Sequence, residues 1–409
     1  MPHHFTELGV IILVAALAAI FMGWMRQLPM IGYVIAGILL GPSMMGVIES
    51  ESQIKFVAEL GVILLLFILG MELPLEAFRK SYKPALIVSC GLVVLSLALM
   101  VLIGFVIPLT LGEKVVYGFI ISLSSTAVAV KLLEAVNLKD KGTGQIAISV
   151  LIAQDLLFVP MILILNTMGG AQAMDLSFIP KIIAAVGVLV GLMWYLSRKD
   201  VVELPFRKTV SKHNDLIPVA ALGLCFGGVA LSELAGFSPA FGAFLVGLVI
   251  GNSTSKHAIF TRIEPMQNVL IMVFFLSIGM LLDFQVIVSN FGLIMLLLLS
   301  SMVFKTVACV ALLKASLPKD RWRCSFVSGL TIAQIGEFSF ILAAAALRKD
   351  IMDMESYKII LAVIALSLVV SPLWVMILKR FVEITYIEKS ATALGQALNK
   401  MAGRKAYAS

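Results

Sequence analysis

Charge is scarce in this sequence. Asp, Glu, Lys and Arg supply 13% of its 409 residues, whereas an ordinary soluble domain carries about 25%. A soluble globule of this size is excluded, because it would lack the polar groups to cover its surface. Cysteine is sparse too: Cys90, Cys225, Cys309 and Cys324 show no CxxC spacing. They read as small core residues rather than zinc ligands or a redox pair. His3, His4, His213 and His257 fall in termini or loops, without HExxH or paired-ligand spacing. No phosphate-cradling loop, GxSxG elbow or catalytic triad is present, so nothing in the sequence argues for an enzyme or a bound cofactor. The N-terminal "MPHHFTE" has no Lys or Arg, and with them it lacks the basic start of a secretory signal.

Apolar residues, by contrast, make up 60% of the chain. Stretches of about 17 to 25 such residues can cross a hydrocarbon core near 30 Å thick. Thirteen candidates lie near 8–25, 30–46, 56–71, 85–107, 115–135, 143–166, 179–196, 215–234, 239–252, 265–281, 290–313, 323–348 and 357–379. The expected fold class is an all-α polytopic membrane protein. With the N-terminus outside, 24 of the 31 Lys and Arg residues fall in cytoplasmic regions, six fall outside, and Lys305 remains within a span. That bias predicts an outside N-terminus and a cytoplasmic C-terminus. The net charge of +7 is then mostly topology and attraction to anionic lipid, not a nucleic-acid signal.

The ionisable residues left at depth carry the functional signal. Asp155, in "LIAQDLLFVP", is about twelve residues into its span, or roughly 18 Å at the helical rise, near the midplane. Lys305 in "SSMVFKTVACV" and Glu337 in "TIAQIGEFSF" lie at similar depth. A charge at the bilayer centre costs roughly 3 kcal/mol on insertion scales, so such residues face a polar cavity or a partner. Gln154 beside Asp155 adds a polar group where packing alone favours Leu. Lys305 reads either as a functional charge or as a neutralising partner for Asp155. Glu59 and Glu233 lie nearer span ends and read as interfacial acids.

Two spans look discontinuous. "ISLSSTAVAVKLL" clusters Ser122, Ser124, Ser125 and Thr126, and "VSGLTIAQIGEF" combines Gly329, Thr331, Gln334 and Gly336. Such side chains compete for backbone hydrogen bonds and lower the cost of an unwound turn. These are the fifth and twelfth spans, which cross in opposite directions. The arrangement predicts inverted repeats over about 8–166 and 215–380, a linker helix near 179–196, and a midplane substrate site between broken helices.

"SLSSTAVAV", "GQIAISVLIAQDLLFVP", "HAIFTRIEPMQNVLIMVFFLSIGMLLDF" and "AQIGEFSFIL" resemble the signature stretches of the monovalent cation:proton antiporter family, second branch. The Gln-Asp pair is similar to its Kef-type potassium efflux members. The resemblance runs from about residue 8 to 380. It implies thirteen spans with crossed broken helices, a dimerisation domain, a mobile core domain and a homodimer. It also implies that Asp155 carries ion and proton, that Ser125 and Thr126 mark the first helix break, and that Glu337 marks the second. Lys305 stands where sodium-transporting relatives carry a lysine paired with the aspartate. Kef-type proteins usually continue into a soluble nucleotide-binding domain. Here only a short tail, 381–409, follows the last span, so a separate regulatory subunit or a missing C-terminal domain is left open.

The expected function is exchange of a monovalent cation, K⁺ first and Na⁺ second, for H⁺ in the bacterial inner membrane. Asp155 would bind cation and proton in turn, with Gln154, Ser125 and Thr126 as further ligands and Lys305 and Glu337 as supporting charges. A gated potassium channel, or a carrier of organic solutes on a similar scaffold, are the alternatives.

Overall fold

The computed structural model describes residues 4–25, 27–41, 44–46, 51–72, 75–139, 142–168, 178–198, 216–317 and 322–370, with a few positions up to 380. The expected tail at 381–409 and the Glu59 side chain lie outside them.

Among the described residues every regular element is a helix. In order they are α1 His4–Trp24, α2 Pro29–Leu40, α3 Glu51–Glu72, α4 Leu75–Ile103, α5 Leu111–Ser122, α6 Thr126–Ala135, α7 Gly142–Thr167 and α8 Phe178–Arg198. Then follow α9 Leu216–Leu234, α10 Pro239–Gly251, α11 Lys256–Leu281, α12 Phe284–Ser289, α13 Phe291–Ser316, α14 Trp322–Thr331, α15 Phe338–Arg348 and α16 Met354–Val369. Each predicted stretch overlaps one helix or, at the fifth and twelfth, a broken pair, the thirteenth only as far as Val369. Lengths differ from expectation. The second stretch stops at Leu40 because Gly41 turns extended, and the resulting 12-residue helix reaches only about 18 Å. The ninth is also short, at 13 residues.

Polar caps set several helix starts. Thr110 and Glu113 form a reciprocal capping box at α5, with Thr110 N donating to Glu113 Oε2 at 2.8 Å and Glu113 N donating to Thr110 Oγ1 at 3.2 Å. Asp283 caps α12 and Asp353 caps α16 in the same spirit.

The helices pack as two bundles. In the first, α1, α2, α3, α9, α10 and α11 lie against one another. Glycine sets their spacing. A Cβ at Gly37 would strike the Leu276 carbonyl of α11, and one at Gly279 would strike Val34 of α2. Gly70, Gly247 and Gly251 bring the α3 and α10 backbones equally close. Burial against lipid-like surroundings gives helices little reason to associate, so close backbone contact and dispersion hold this bundle.

The second bundle joins α4, α5, α6, α7, α13, α14, α15 and α16. It is tied by side-chain bonds to main-chain oxygens: Ser89 Oγ donates to Val150 O at 3.0 Å and Ser339 Oγ to Ile120 O at 3.1 Å. Phe158 stacks on Phe338 with ring centroids 4.9 Å apart. Between the bundles the ties are few. Phe275 of α11 meets Phe340 of α15 edge to face at 6.1 Å. Lys131 of α6 donates to Gln27 O at 3.1 Å. Asp283, directly after α11, pairs with Lys358 of α16 at 3.0 Å.

Candidate functional site

The two broken helices meet in the middle of the second bundle. The first break spans Leu123, Ser124 and Ser125, whose flanking residues are extended, with φ −81° and ψ 141° at Leu123 and φ −78° and ψ 111° at Ser125. Serine chemistry holds it open: Ser122 Oγ donates to Phe119 O at 2.8 Å, and Ser125 Oγ accepts from Val128 N at 3.3 Å to start α6. The second break runs from Ile332 to Glu337. Gly336 N donates to Leu123 O at 3.1 Å, and Ser124 Oγ donates to Ile332 O at 2.8 Å. The crossing requires glycine at 336, since a Cβ there would lie 2.6 Å from Ser124 O.

Breaking two helices in mid-bundle creates two carbonyl ends, partly negative, and two N–H ends, partly positive. The charged side chains are distributed accordingly. The Lys305 ammonium serves the carbonyl ends, donating to Leu123 O at 2.6 Å and Gln334 O at 2.7 Å. The carboxylates serve the N–H ends. Asp155 accepts from the Thr126 hydroxyl, at the first residue of α6, with Oδ2 3.0 Å away. Glu337 stands at the N-cap position of α15 without a side-chain capping bond, interacts with the Ser125 side chain and lies within electrostatic reach of Asp155. Asp155 and Lys305 are 3% and 0% exposed.

All six residues singled out from sequence, Asp155, Gln154, Ser125, Thr126, Lys305 and Glu337, therefore surround one crossing. Two of them sit differently from expectation. Lys305 does not pair with Asp155; it donates two of its three protons to main-chain carbonyls. Gln154 Oε1 accepts from Ser124 N at 3.1 Å, so the amide oxygen supports the first break and Nε2 is left over. From sequence Gln334 is only a residue of the second break. In the fold it is fully buried, with neither side-chain atom hydrogen-bonded. An amide beside glycine in an otherwise apolar helix was the available signal.

As a binding site the crossing offers hard oxygen donors: a carboxylate, a hydroxyl and main-chain carbonyls. Such donors suit alkali cations better than soft metals. Among the described residues no three His, Cys, Asp or Glu side chains converge as a metal-binding group.

Comparison with known proteins agrees with this geometry. Residues 10–380 match the family model described as "Sodium/hydrogen exchanger, transmembrane". The chain is 37% identical over 380 residues to the iron transporter MagA of Paramagnetospirillum magneticum, covering 92% of this chain and 87% of that protein. It is 33% identical to the glutathione-regulated potassium-efflux system protein KefC of Klebsiella pneumoniae, over 90% of this chain and 58% of KefC. With K(+) efflux antiporter 5 of Arabidopsis thaliana the identity is 29%, over 90% and 65%. The chain thus spans less than two thirds of these potassium-efflux relatives. The solved sodium proton antiporter MjNhaP1 of Methanocaldococcus jannaschii shares the fold, with a TM-score of 0.71 over 92% of this chain and 99% of that one, at 16% identity. With its broken helices crossed as described and its family match running almost end to end, this chain belongs to the transmembrane sodium/hydrogen exchanger family of monovalent cation:proton antiporters.

Proposed function

We propose that the chain exchanges K⁺, in preference to Na⁺, for H⁺ by alternating access at Asp155. One observation carries this reading: Asp155 is buried and receives a hydroxyl hydrogen bond, yet no cationic side chain among the described residues pairs with it. A carboxylate so placed must be offset by a proton or by a cation, and two species that offset one charge exclude each other. That exclusion is antiport. Lys305 stays bonded to the helix ends and takes no part in the exchange, which supports one cation moved per proton. The glycine-locked first bundle would be the scaffold and the second bundle the moving part, working as a homodimer. Inverted repeats, the inner bacterial membrane and an outside N-terminus complete the proposal.

The choice of K⁺ rests on the Gln154-Asp155 pair and on the potassium-efflux relatives. The test uses purified protein in liposomes with a pH-sensitive dye and an imposed proton gradient. Dye recovery on adding K⁺, lost in Asp155→Asn, is the expected result. Recovery with Na⁺ alone would reverse the ion choice, and a K⁺ flux without dye recovery would indicate a channel. An Fe²⁺ arm is included because of the name of the MagA relative.

A further inference from the structure

Three side chains at the crossing have buried polar atoms without a partner: Gln154 at Nε2, Glu337 at Oε2, and Gln334 at both Oε1 and Nε2. Each belongs to the same junction. Gln154 is tied to Ser124, Glu337 interacts with Ser125, and Gln334 shares the Lys305 ammonium with Leu123. Elsewhere in this bundle many buried hydroxyls have partners. Ser89, Ser122, Ser301, Thr331 and Ser339 all donate to main-chain oxygens. Ser96 Oγ on α4 is the one other buried atom without a partner among the described residues, so four of the five orphans gather at this junction. Such a cluster marks a place where a polar occupant completes the bonding, since leaving such atoms bare is costly and packing could be met by Leu.

The chemistry of the orphans narrows the occupant. The oxygen of Gln154 already accepts from Ser124 and keeps one lone pair, while its unpartnered atom is an NH₂ donor, which cannot ligate a cation. Gln334 offers more: with both atoms free, either orientation of its amide presents an uncommitted oxygen. The peptide group that follows it is pinned at both its polar atoms, by Lys305 at the Gln334 carbonyl and by Ile335 N donating to Ser367 Oγ at 2.9 Å. The amide is thus presented from a fixed backbone, as a selective ligand must be. We propose that Gln334 is a specificity-determining residue whose side-chain oxygen ligates the dehydrated monovalent cation at the helix crossing. This rests on the antiport reading above and names a ligand within that site.

The experiment compares wild type, Gln334→Leu and Asp155→Asn by thermal unfolding of purified protein in choline chloride against KCl or NaCl, and by dye-coupled exchange in liposomes. A ligand that binds only the folded protein raises its unfolding temperature, so wild type is expected to be stabilised by KCl. Gln334→Leu, which removes an orphaned amide from an apolar setting, is expected to unfold at a higher temperature than wild type in choline. It should lose the KCl response, and its half-saturating K⁺ for exchange should rise about tenfold, as for one lost ligand, with the K⁺ over Na⁺ preference collapsing. Gln334→Met serves the same purpose should the branched side chain prevent folding. A Gln334→Leu protein that keeps the wild-type KCl response and half-saturation overturns the proposal. So does one destabilised equally in choline and KCl, since the amide then holds structural water. Failure of the antiport reading looks different: wild type itself would show neither cation-dependent stabilisation nor dye recovery.

Discussion

Lys305 donates to the main-chain carbonyl of Leu123 at 2.6 Å, where α5 stops. A second bond, to Gln334 O at 2.7 Å, ties the same ammonium to the other broken helix. The lysine is a tethered cation at the negative ends of two half-helices, which repel each other without it.

Lys305→Met should therefore loosen the crossing itself. Two buried carbonyls lose charge-assisted bonds at once, worth about 2 to 4 kcal/mol together. The expected outcome is a marked fall in unfolding temperature, with any surviving exchange still one for one. A variant of wild-type stability whose cation-to-proton ratio differs from that of wild type would instead place Lys305 in the ion cycle. Membrane-potential dyes alongside the pH dye make that distinction.

Thr126 is bonded to Asp155 through a hydroxyl that Val lacks. Thr126→Val keeps the shape and removes one charge-assisted hydrogen bond, so cation-coupled exchange at limiting cation should fall about tenfold. Unchanged exchange would mean that Thr126 turns away from the carboxylate during transport.

Gly336→Ala sets backbone against backbone. Its Cβ would lie 2.6 Å from Ser124 O, where no flexible side chain can yield. Exchange should drop to background, and replacement at Gly227, whose Cβ would meet nothing within 4 Å, should leave exchange at the wild-type level. The paired assay checks that the loss follows from crowding at the crossing and not from helix propensity.

Asp283 and Lys358 join the α11 end to α16 at 3.0 Å, with side chains 28% and 32% exposed. The hydrogen bond from Lys358 holds the Asp283 carboxyl below its ordinary range, helped by the main-chain N–H groups of Gln285 and Val286. Because the folded-state value is depressed, the stabilisation is present above the unfolded value and is lost as pH falls through the folded one. Asp283→Asn should cost under about 1 kcal/mol at neutral pH, given solvent screening. The gap from wild type should close below about pH 4. Thermal unfolding across pH 3 to 7 is the check. A gap that persists in acid would trace the effect to helix capping rather than to charge.

What the sequence by itself determined here follows from composition and spacing. Scarce charge and long apolar stretches force a helical membrane fold, because only internally bonded backbone survives in lipid. Clustered serines and glycines at 122–126 and 329–336 announce two interruptions, and Asp155 at mid-span announces a candidate site. These are local properties, readable along the chain. The partners of each polar group are not local. Lys305 stands far along the chain from Leu123, and which of several buried acceptors it meets depends on how the broken helices cross. Sequence pairing of opposite charges favours Asp155, but the fold presents Lys305 with two carbonyl ends and leaves Asp155 at an N–H end. The same crossing engages the oxygen of Gln154 and leaves that of Gln334 free. Tertiary structure decided those assignments because a half-helix end acts as a partial charge only once the break is made and its neighbours are in place.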